Sequence, residues 1–586
     1  MRPAVGCLAT AILVGAGCAI TGVLLAQALV IVVAIAVLLY CGGWLWAQCA
    51  RRPVSTLEFV GMGGAVATVL SIVLGFLALP LGTTAVCWAW LVLPATVAIG
   101  SLARRGAVGS GIDSPRTLVA AVIGVVLGMA ALLLNLARYP LNGPWSRYHP
   151  DVVFFEALGQ MMTRFGPTHS ILMTGDQIRY HWLTYLWTGQ LTVGLRLDPF
   201  VAQTRVLPTL VVVCISALGA SWAARLTRSW WAPALAVVLL VVGGFVGAAY
   251  GTALNVDSPS LALTALWLMA AIIVVTEPGM RPWLVTLVSG LLGFTLLGGK
   301  ASSGAVLVVS LAAGTVVGLV ARQAWWRTMA AACAAAAAGA LLAYLLLLRG
   351  GEAGGGLELL TWAHRASSVQ GLDLGSGAWG IAAGTLLLAL AVVPRWAGVI
   401  GLPTRSREAA CAWGLVLAGV VPILLLSQGV NELWFAVVAS APLCVLSVAG
   451  LDRRWSLSTG ARGLQVLAAV VGLACFGIAA VLWSRGATAT TSLRALAPLL
   501  PWAGGGVLWL VVWARWRRAG LALTAALTVL VVSAALARGT GALGEVGPGA
   551  TTGPPLTSAE LPGAPPIAST TAAAGVTPPP ASSPGM

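Results

Sequence analysis

The residues able to do acid–base or phosphate chemistry crowd into one stretch of this 586-residue chain, Arg138 to Arg196. It holds His149, His169 and His181, three of the four histidines, together with Asp151, Glu156, Asp176 and five arginines. In RYHPDVVFFEALGQ, Asp151 is placed either to take a proton from a hydroxyl as a general base or to cap a helix start. His149, two residues earlier, could share a divalent ion with Asp151 or hold a phosphate as imidazolium. Glu156 lies five positions after Asp151, about 140° round a helix, so the two do not share a face. In GDQIRYHW, Arg179 offers the forked donors that suit phosphate, and Tyr180, His181 and Trp182 offer rings that stack on a ligand or anchor at headgroup depth. Two further candidates follow the stretch. Asp257, in ALNVDSPS, is a second acid or an Asp-Ser turn residue. Lys300, in GGKASSG, is the only lysine in the chain. A cation at membrane depth is costly and tends to bind something, the bland alternative being a side chain that snorkels to the headgroups. GGKASSG lacks the first glycine of a phosphate loop and follows no strand, which excludes nucleotide binding of that kind.

These residues sit in a chain that is otherwise apolar. A mean hydropathy of +0.96 with 8% charged residues excludes a soluble globular protein. Runs of about 20 apolar residues recur along it, the length an α-helix needs to cross ~30 Å of hydrocarbon. The ~10-residue alternating segments of a membrane barrel are missing. Because the bilayer core offers no water, the spans must be helices that satisfy their own backbone. The net charge of +16 does not indicate nucleic acid, because the arginines come in twos and threes between apolar runs. All ten cysteines fall inside those runs, so neither a disulfide framework nor a CxxC metal site is expected.

The predicted fold is all-α and polytopic, with about 17 transmembrane helices. They are placed near 4–22, 27–48, 57–79, 85–103, 117–137, 202–224, 230–250, 259–276, 283–299, 302–321, 328–348, 378–394, 409–427, 433–451, 462–483, 495–514 and 519–537. With the N-terminus cytoplasmic, 20 of the 32 basic residues fall on the inner side, and five of the other 12 lie in the long loop itself. Short loops therefore obey the positive-inside rule, and the loop 138–200 faces out. The same orientation puts all four histidines and 11 of the 16 acids outside and leaves the inner face with arginine and little else. Within the outer loop, Asp151 to Met162 reads as a short interfacial helix and Tyr180 to Leu195 as a second. Residues 1–115 form an N-terminal four-helix membrane segment, 116–537 the membrane core, and 538–586 a disordered outer tail rich in Pro, Ala and Thr. Arginine usage and composition point to a bacterial cell membrane, with the C-terminal tail extracytoplasmic.

An acidic residue opening the first large outer loop, interfacial helices after it and a second acid two helices later resemble the GT-C glycosyltransferases. The likeness covers roughly 117–300. It implies a GT-C-like core and transfer of a sugar from a polyprenyl-phosphate donor to an envelope glycan or lipid. Asp151, Glu156 and Asp257 would be the catalytic acids. His149, Arg179, Tyr180, His181, Trp182 and Lys300 would bind substrate or phosphate, with an aromatic on the sugar face. A divalent metal held by Asp151 and His149 is compatible with the family. This chain lacks the Asp-x-Asp or paired acids of the family's metal site. The rival readings are a transporter or flippase for a lipid-linked or polar substrate, and a non-catalytic membrane partner. A transporter should carry mid-bilayer acids and a repeat between halves. The spans here are nearly free of charge, so the enzyme reading leads.

Overall fold

A computed structural model describes residues 2–103, 110–136, 139–141, 148, 150–164, 178–242, 258–348, 356–357, 395–427 and 433–457. Its helices are α1 (Arg2–Ile20), α2 (Leu25–Ala50), α3 (Thr56–Leu77), α4 (Thr83–Trp88), α5 (Val92–Ala103), α6 (Pro115–Leu136), α7 (Pro150–Arg164), α8 (Leu183–Leu195), α9 (Pro199–Val201), α10 (Leu207–Leu226), α11 (Ala232–Val242), α12 (Pro259–Thr276), α13 (Pro282–Gly299), α14 (Ala301–Val320) and α15 (Trp326–Ala343). They are followed by α16 (Arg407–Leu425) and α17 (Leu433–Leu457). A π-helical turn at Ala202–Val206 joins α9 to α10. Among the described residues, the only strands are two pairs of two residues each.

The chain is a polytopic α-helical membrane protein. Eleven of its described helical segments are long and apolar enough to cross a bilayer. The expected spans 378–394, 462–483, 495–514 and 519–537, and the tail 538–586, lie outside the described residues. Two expected spans differ in form. Segment 85–103 is broken into α4, a 3₁₀ turn at Ala89–Leu91 and α5. Pro94, in the first turn of α5, has no N–H to continue the preceding helix and clashes with it. Segment 230–250 is helical over Ala232–Val242, and residues 243–250 lie outside the described set.

Side-chain size explains the packing. Helices α10 and α12 have their span windows fully buried, and α17 nearly so, which makes them the centre of the bundle. Outer helices turn large apolar side chains away from the protein: Val5, Leu8 and Ile20 on α1, Val119, Val122 and Val126 on α6, and Val316 and Val320 on α14. Such exposure belongs against lipid. Helices α2 and α3 approach so closely that a Cβ on Gly42 would lie 2.1 Å from the Gly63 carbonyl oxygen, the use of small residues expected between helices in lipid.

The helix ends gather at two ends of the bundle. At one end, Arg52 binds both Glu58 and Glu277, and Arg225 binds the same two acids. Trp46 Nε1 donates to Glu58 as well. Arg116 donates to carbonyls of Ala224, Thr227, Arg228 and Ser229, closing the C-terminus of α10. Asp452 accepts from the backbone of Arg228 and Ser229. Glu58, Glu277 and Asp452 are three of the five acids that the sequence reading leaves on this arginine-rich side, and here each is bonded in place. An arginine placed for topology is also the nearest counter-charge for a carboxylate sunk at a helix end.

Candidate functional site

The opposite end holds the long loop. Helix α7 forms where the sequence predicts a short helix. Pro150 has the fixed φ suited to the first turn, and Asp151 sits where the helix dipole favours a negative charge. Its buried side chains Val152, Phe155, Leu158 and Met162 face the bundle, and Asp151 is exposed. Helix α8 is not the surface helix that its Trp and Tyr content suggests. Leu183 to Leu191 are all buried, packed among α3, α4, α7, α12 and α13. Gln190 secures this placement by donating Nε2 to the carbonyls of Ser71 and Val86. A polar side chain inside the protein finds partners where lipid would provide none.

Burying α8 brings the loop against the ends of α12 and α13. Gly299 touches Thr184 and Thr264 so tightly that an added Cβ would lie 2.9 Å from Thr264 Cγ2 and 3.1 Å from Thr184 Oγ1. Ser303 Oγ lies 2.9 Å from Thr264 Oγ1, tying the start of α14 to α12. Lys300, between α13 and α14, is therefore held at the floor of the loop. Its side chain is buried, with Nζ 4.8 Å from the centre of the Trp434 ring.

An aromatic stack forms the wall. Tyr180 and His181 lie face to face with centroids 3.8 Å apart. Phe155 stacks on Tyr185 at 4.7 Å, and Phe154 meets Tyr180 edge-on. The charges of this cluster act on one another. Burial pushes the Lys300 ammonium down to about 8, with Asp151 opposing the shift. Burial and the Lys300 charge lower the His181 imidazole well below its usual range, so the ring is neutral at pH 7. Burial and then Asp151 raise the Tyr180 phenol. Burial, Tyr180 and Asp151 raise that of Tyr185, with Ser260 close by. Glu156 points elsewhere, as its angle round the helix requires. Burial first and the Asp198 carboxylate second raise it to about 7.

Four of the residues singled out in the sequence thus converge: Asp151, Tyr180, His181 and Lys300. Arg179 is exposed beside them. Trp182 does not present its ring to a ligand; it is 1% exposed and packs near Phe76 with centroids 6.2 Å apart. Its place just before the first turn of the sunken α8 takes it into the core. His149 and Asp257 lie outside the described residues, and so does a metal site made by His149 with Asp151. Among the described residues, no three His, Cys, Asp or Glu side chains group as metal ligands.

Sequence reading missed Tyr185 and Ser260. Both sit in apolar helical runs, and only the burial of α8 sets Tyr185 beside Ser260. It also missed Arg205, which is 2% exposed in the π-helical turn. Arg205 donates to Thr204 Oγ1 and the Tyr139 carbonyl and lies over the Phe200 ring, closing the C-terminal end of α6. Pro208 was the available signal: it cannot donate to the carbonyl four residues back, and the Leu207 N–H reaches Ala202, five back.

No protein-family model matches the chain, and no curated protein or solved structure matches it.

Proposed function

We propose that the chain transfers a sugar from a lipid-linked phosphosugar to a hydroxyl acceptor at the outer face of a cell membrane. The carrying observation is that Asp151 on the first turn of α7, Lys300 between α13 and α14 and the Tyr180–His181 stack, far apart in sequence, come together in one aromatic-walled cluster, where the Asp151 carboxylate acts on the Lys300 ammonium. Glycosyl transfer uses a carboxylate beside an acceptor hydroxyl and a cation beside the leaving phosphate. In this reading, Asp151 takes the proton of the acceptor hydroxyl as its oxygen bonds to the anomeric carbon. The bond from that carbon to the phosphate oxygen breaks, and the phosphate leaves with the electron pair toward the Lys300 ammonium. Tyr180 and His181 supply flat faces for the sugar. Neutral His181 adds no charge that would compete for the donor. The burial of Lys300 excludes water, which strengthens its pull on an anion.

The test uses the full chain in vesicles with polyprenyl-phosphate monosaccharides and a lipid acceptor. Asp151→Asn should lower transfer by about 10²-fold or more, within the range for a lost general base, while the protein stays monodisperse. Unchanged transfer in that variant would remove Asp151 from the reaction.

A transporter or flippase is the second reading, and the four-charge cluster of Arg52, Glu58, Arg225 and Glu277 supports it. Alternating access needs one end shut while the other is open, and ion pairs between helix ends can shut it. Movement of a lipid-linked substrate between leaflets by Asp151→Asn protein, with no sugar transferred by either protein, would favour this reading.

A further inference from the structure

The helices that meet around Lys300 bring it no counter-charge. Helices α8, α12, α13 and α14 contain no Asp, Glu, Arg, His or second Lys. The charged residues of α17, Asp452, Arg453 and Arg454, sit in its last turns, and it is the first turn that reaches Lys300. Two titratable groups act on Lys300 from the facing segment: Asp151 on the first turn of α7 and His181 just before α8. Arg179 is exposed beside them. Asp257 and Glu432, which precede α12 and α17 in the chain, lie outside the described residues. What the helices themselves offer the ammonium is a ring. Trp434, on the first turn of α17, is 8% exposed, and its ring centre is 4.8 Å from Lys300 Nζ.

Both partners are fixed by their own elements. Lys300 joins α13 to α14 through extended backbone; its N–H donates to the Leu296 carbonyl, and its carbonyl accepts from the Ser303 N–H. Ser303 Oγ in turn lies 2.9 Å from Thr264 Oγ1 on α12. At the far end of α17, Asp452 accepts from the backbone of Arg228 and Ser229. Nearer its middle, an added Cβ on Gly398 would lie 2.0 Å from the Ser447 carbonyl oxygen, and one on Gly450 would lie 2.0 Å from that of Gly398. Such close contacts leave α17 little room to slide, so the ring stands at a set place above the ammonium. The lysine stem has many rotamers, and a charge seated on an aromatic face keeps one of them.

An acid in the place of Trp434 would hold the ammonium too, but it would also cancel the charge. A ring attracts a cation through its quadrupole and leaves the charge in place. We infer that Trp434 is the positioning residue of Lys300, its ring face holding the ammonium in one place beside the Tyr180–His181 stack without neutralising it. The glycosyl-transfer reading supplies only the use of that charge; the hold itself does not depend on it. The contact attracts the charged form alone. Its loss must therefore lower the pKa of an amine that burial already brings down to about 8.

Because Lys300 is the only lysine, lysine labelled with carbon-13 at Cε gives the full chain a single labelled signal. In detergent, the hydrogens on that carbon should resonate upfield of the ordinary lysine position, where a ring face shields them. The displacement should vanish in Trp434→Leu. The pH titration of the same signal should move to lower pH by about half to one and a half units in Trp434→Leu, and by less in Trp434→Phe, which keeps a weaker ring. In vesicles with a polyprenyl-phosphate monosaccharide and a lipid acceptor, kcat should fall about 3-fold to 30-fold in Trp434→Leu and largely recover in Trp434→Phe. The alkaline loss of transfer should follow the titration. Trp434→Phe, the smaller change, carries the test should Trp434→Leu not stay monodisperse. No upfield displacement in the native chain, or a titration that neither variant moves, would overturn the inference and assign the hold to an acid. A titration moved to higher pH would overturn it as well, because the ring would then act by keeping water out. The displacement and the downward shift, with no sugar transfer by any of the three proteins, would keep the hold on Lys300 and discard the enzyme. Undiminished transfer by Trp434→Leu, with its titration shifted, would keep the enzyme and overturn the positioning role.

Discussion

Two carboxyl groups on one short helix have opposite surroundings. Asp151 is exposed on the first turn of α7, whereas Glu156 is partly buried and faces Asp198, which caps α9. Burial and that neighbouring charge raise Glu156 to about 7. A carboxyl whose pKa is higher folded than unfolded holds its proton more tightly in the folded state. Its contribution to stability is then fully present below about pH 4.5 and is lost as pH rises toward 7. Glu156→Gln should flatten this part of the profile, raising the thermal midpoint at pH 8 relative to the native chain and changing it little at pH 4. Melting curves in detergent across that range check it. A native chain whose stability is flat between those values would mean Glu156 is ionised. The pairing of roles also explains why Glu156 is a poor partner for Asp151 in chemistry: the helix that positions one turns the other into the protein.

The element that decides the site is α8. Its composition predicts a helix at the membrane surface, and the helix itself is found where expected. Its depth is not what composition implies, because Trp and Tyr suit both a headgroup belt and a protein interior. Gln190, with two backbone carbonyls to serve, marks it as buried. The arginine-end cluster is the second decisive element. Glu58 and Glu277 are each 2% exposed at the side chain, and their arginine partners are 26% and 33% exposed. Burial alone would raise Glu277, but hydrogen bonds from Arg52 and the charge of Arg225 hold it below the usual carboxylate range. Removing Glu277 would leave Arg52 and Arg225 sharing one acid. Glu277→Ala should therefore cost on the order of 2–3 kcal/mol, below the full figure for a buried pair because the arginines reach water. Arg52→Met with Glu277→Met should recover part of that loss. Thermal unfolding of Glu277→Ala, of each single Met variant and of the double Met variant in one detergent checks it, and additive losses of the two single Met variants in the double would mean the pair is not coupled.

For the whole molecule, sidedness is the test with the widest reach. Arginine placement in the sequence assigns the loop end to the outside and the Arg52 cluster to the cytoplasm. Arg179 and Arg405 are both exposed and fall at the two ends. The nine described cysteines are free thiols, and all are buried or partly buried. Single Arg179→Cys and Arg405→Cys variants should then react above that background with an impermeant thiol reagent. The Arg179→Cys variant should label in intact cells, and the Arg405→Cys variant only after permeabilisation. The opposite pattern would put the Asp151–Lys300 cluster in the cytosol, where a lipid-phosphosugar reaction on the outer face cannot use it.

What the sequence determined by itself is the environment and the rough parts list. Membrane residence, most of the span positions, the helix at Asp151 and the concentration of acids and imidazoles in one loop are all local properties. They follow from hydropathy over about 20 residues and from the residues that start and stop helices. Lys300 stood out for the same local reason, as a lone lysine between apolar runs. What only the tertiary structure decided is which of these residues meet. Lys300 beside His181, Tyr185 beside Ser260 and Arg52 between Glu58 and Glu277 are contacts between distant segments. Nothing in a helix's periodicity states which neighbour it packs against or how deep it sits, because both are set by close fits such as that of the bare Gly299 backbone against the Thr264 side chain once the bundle has closed.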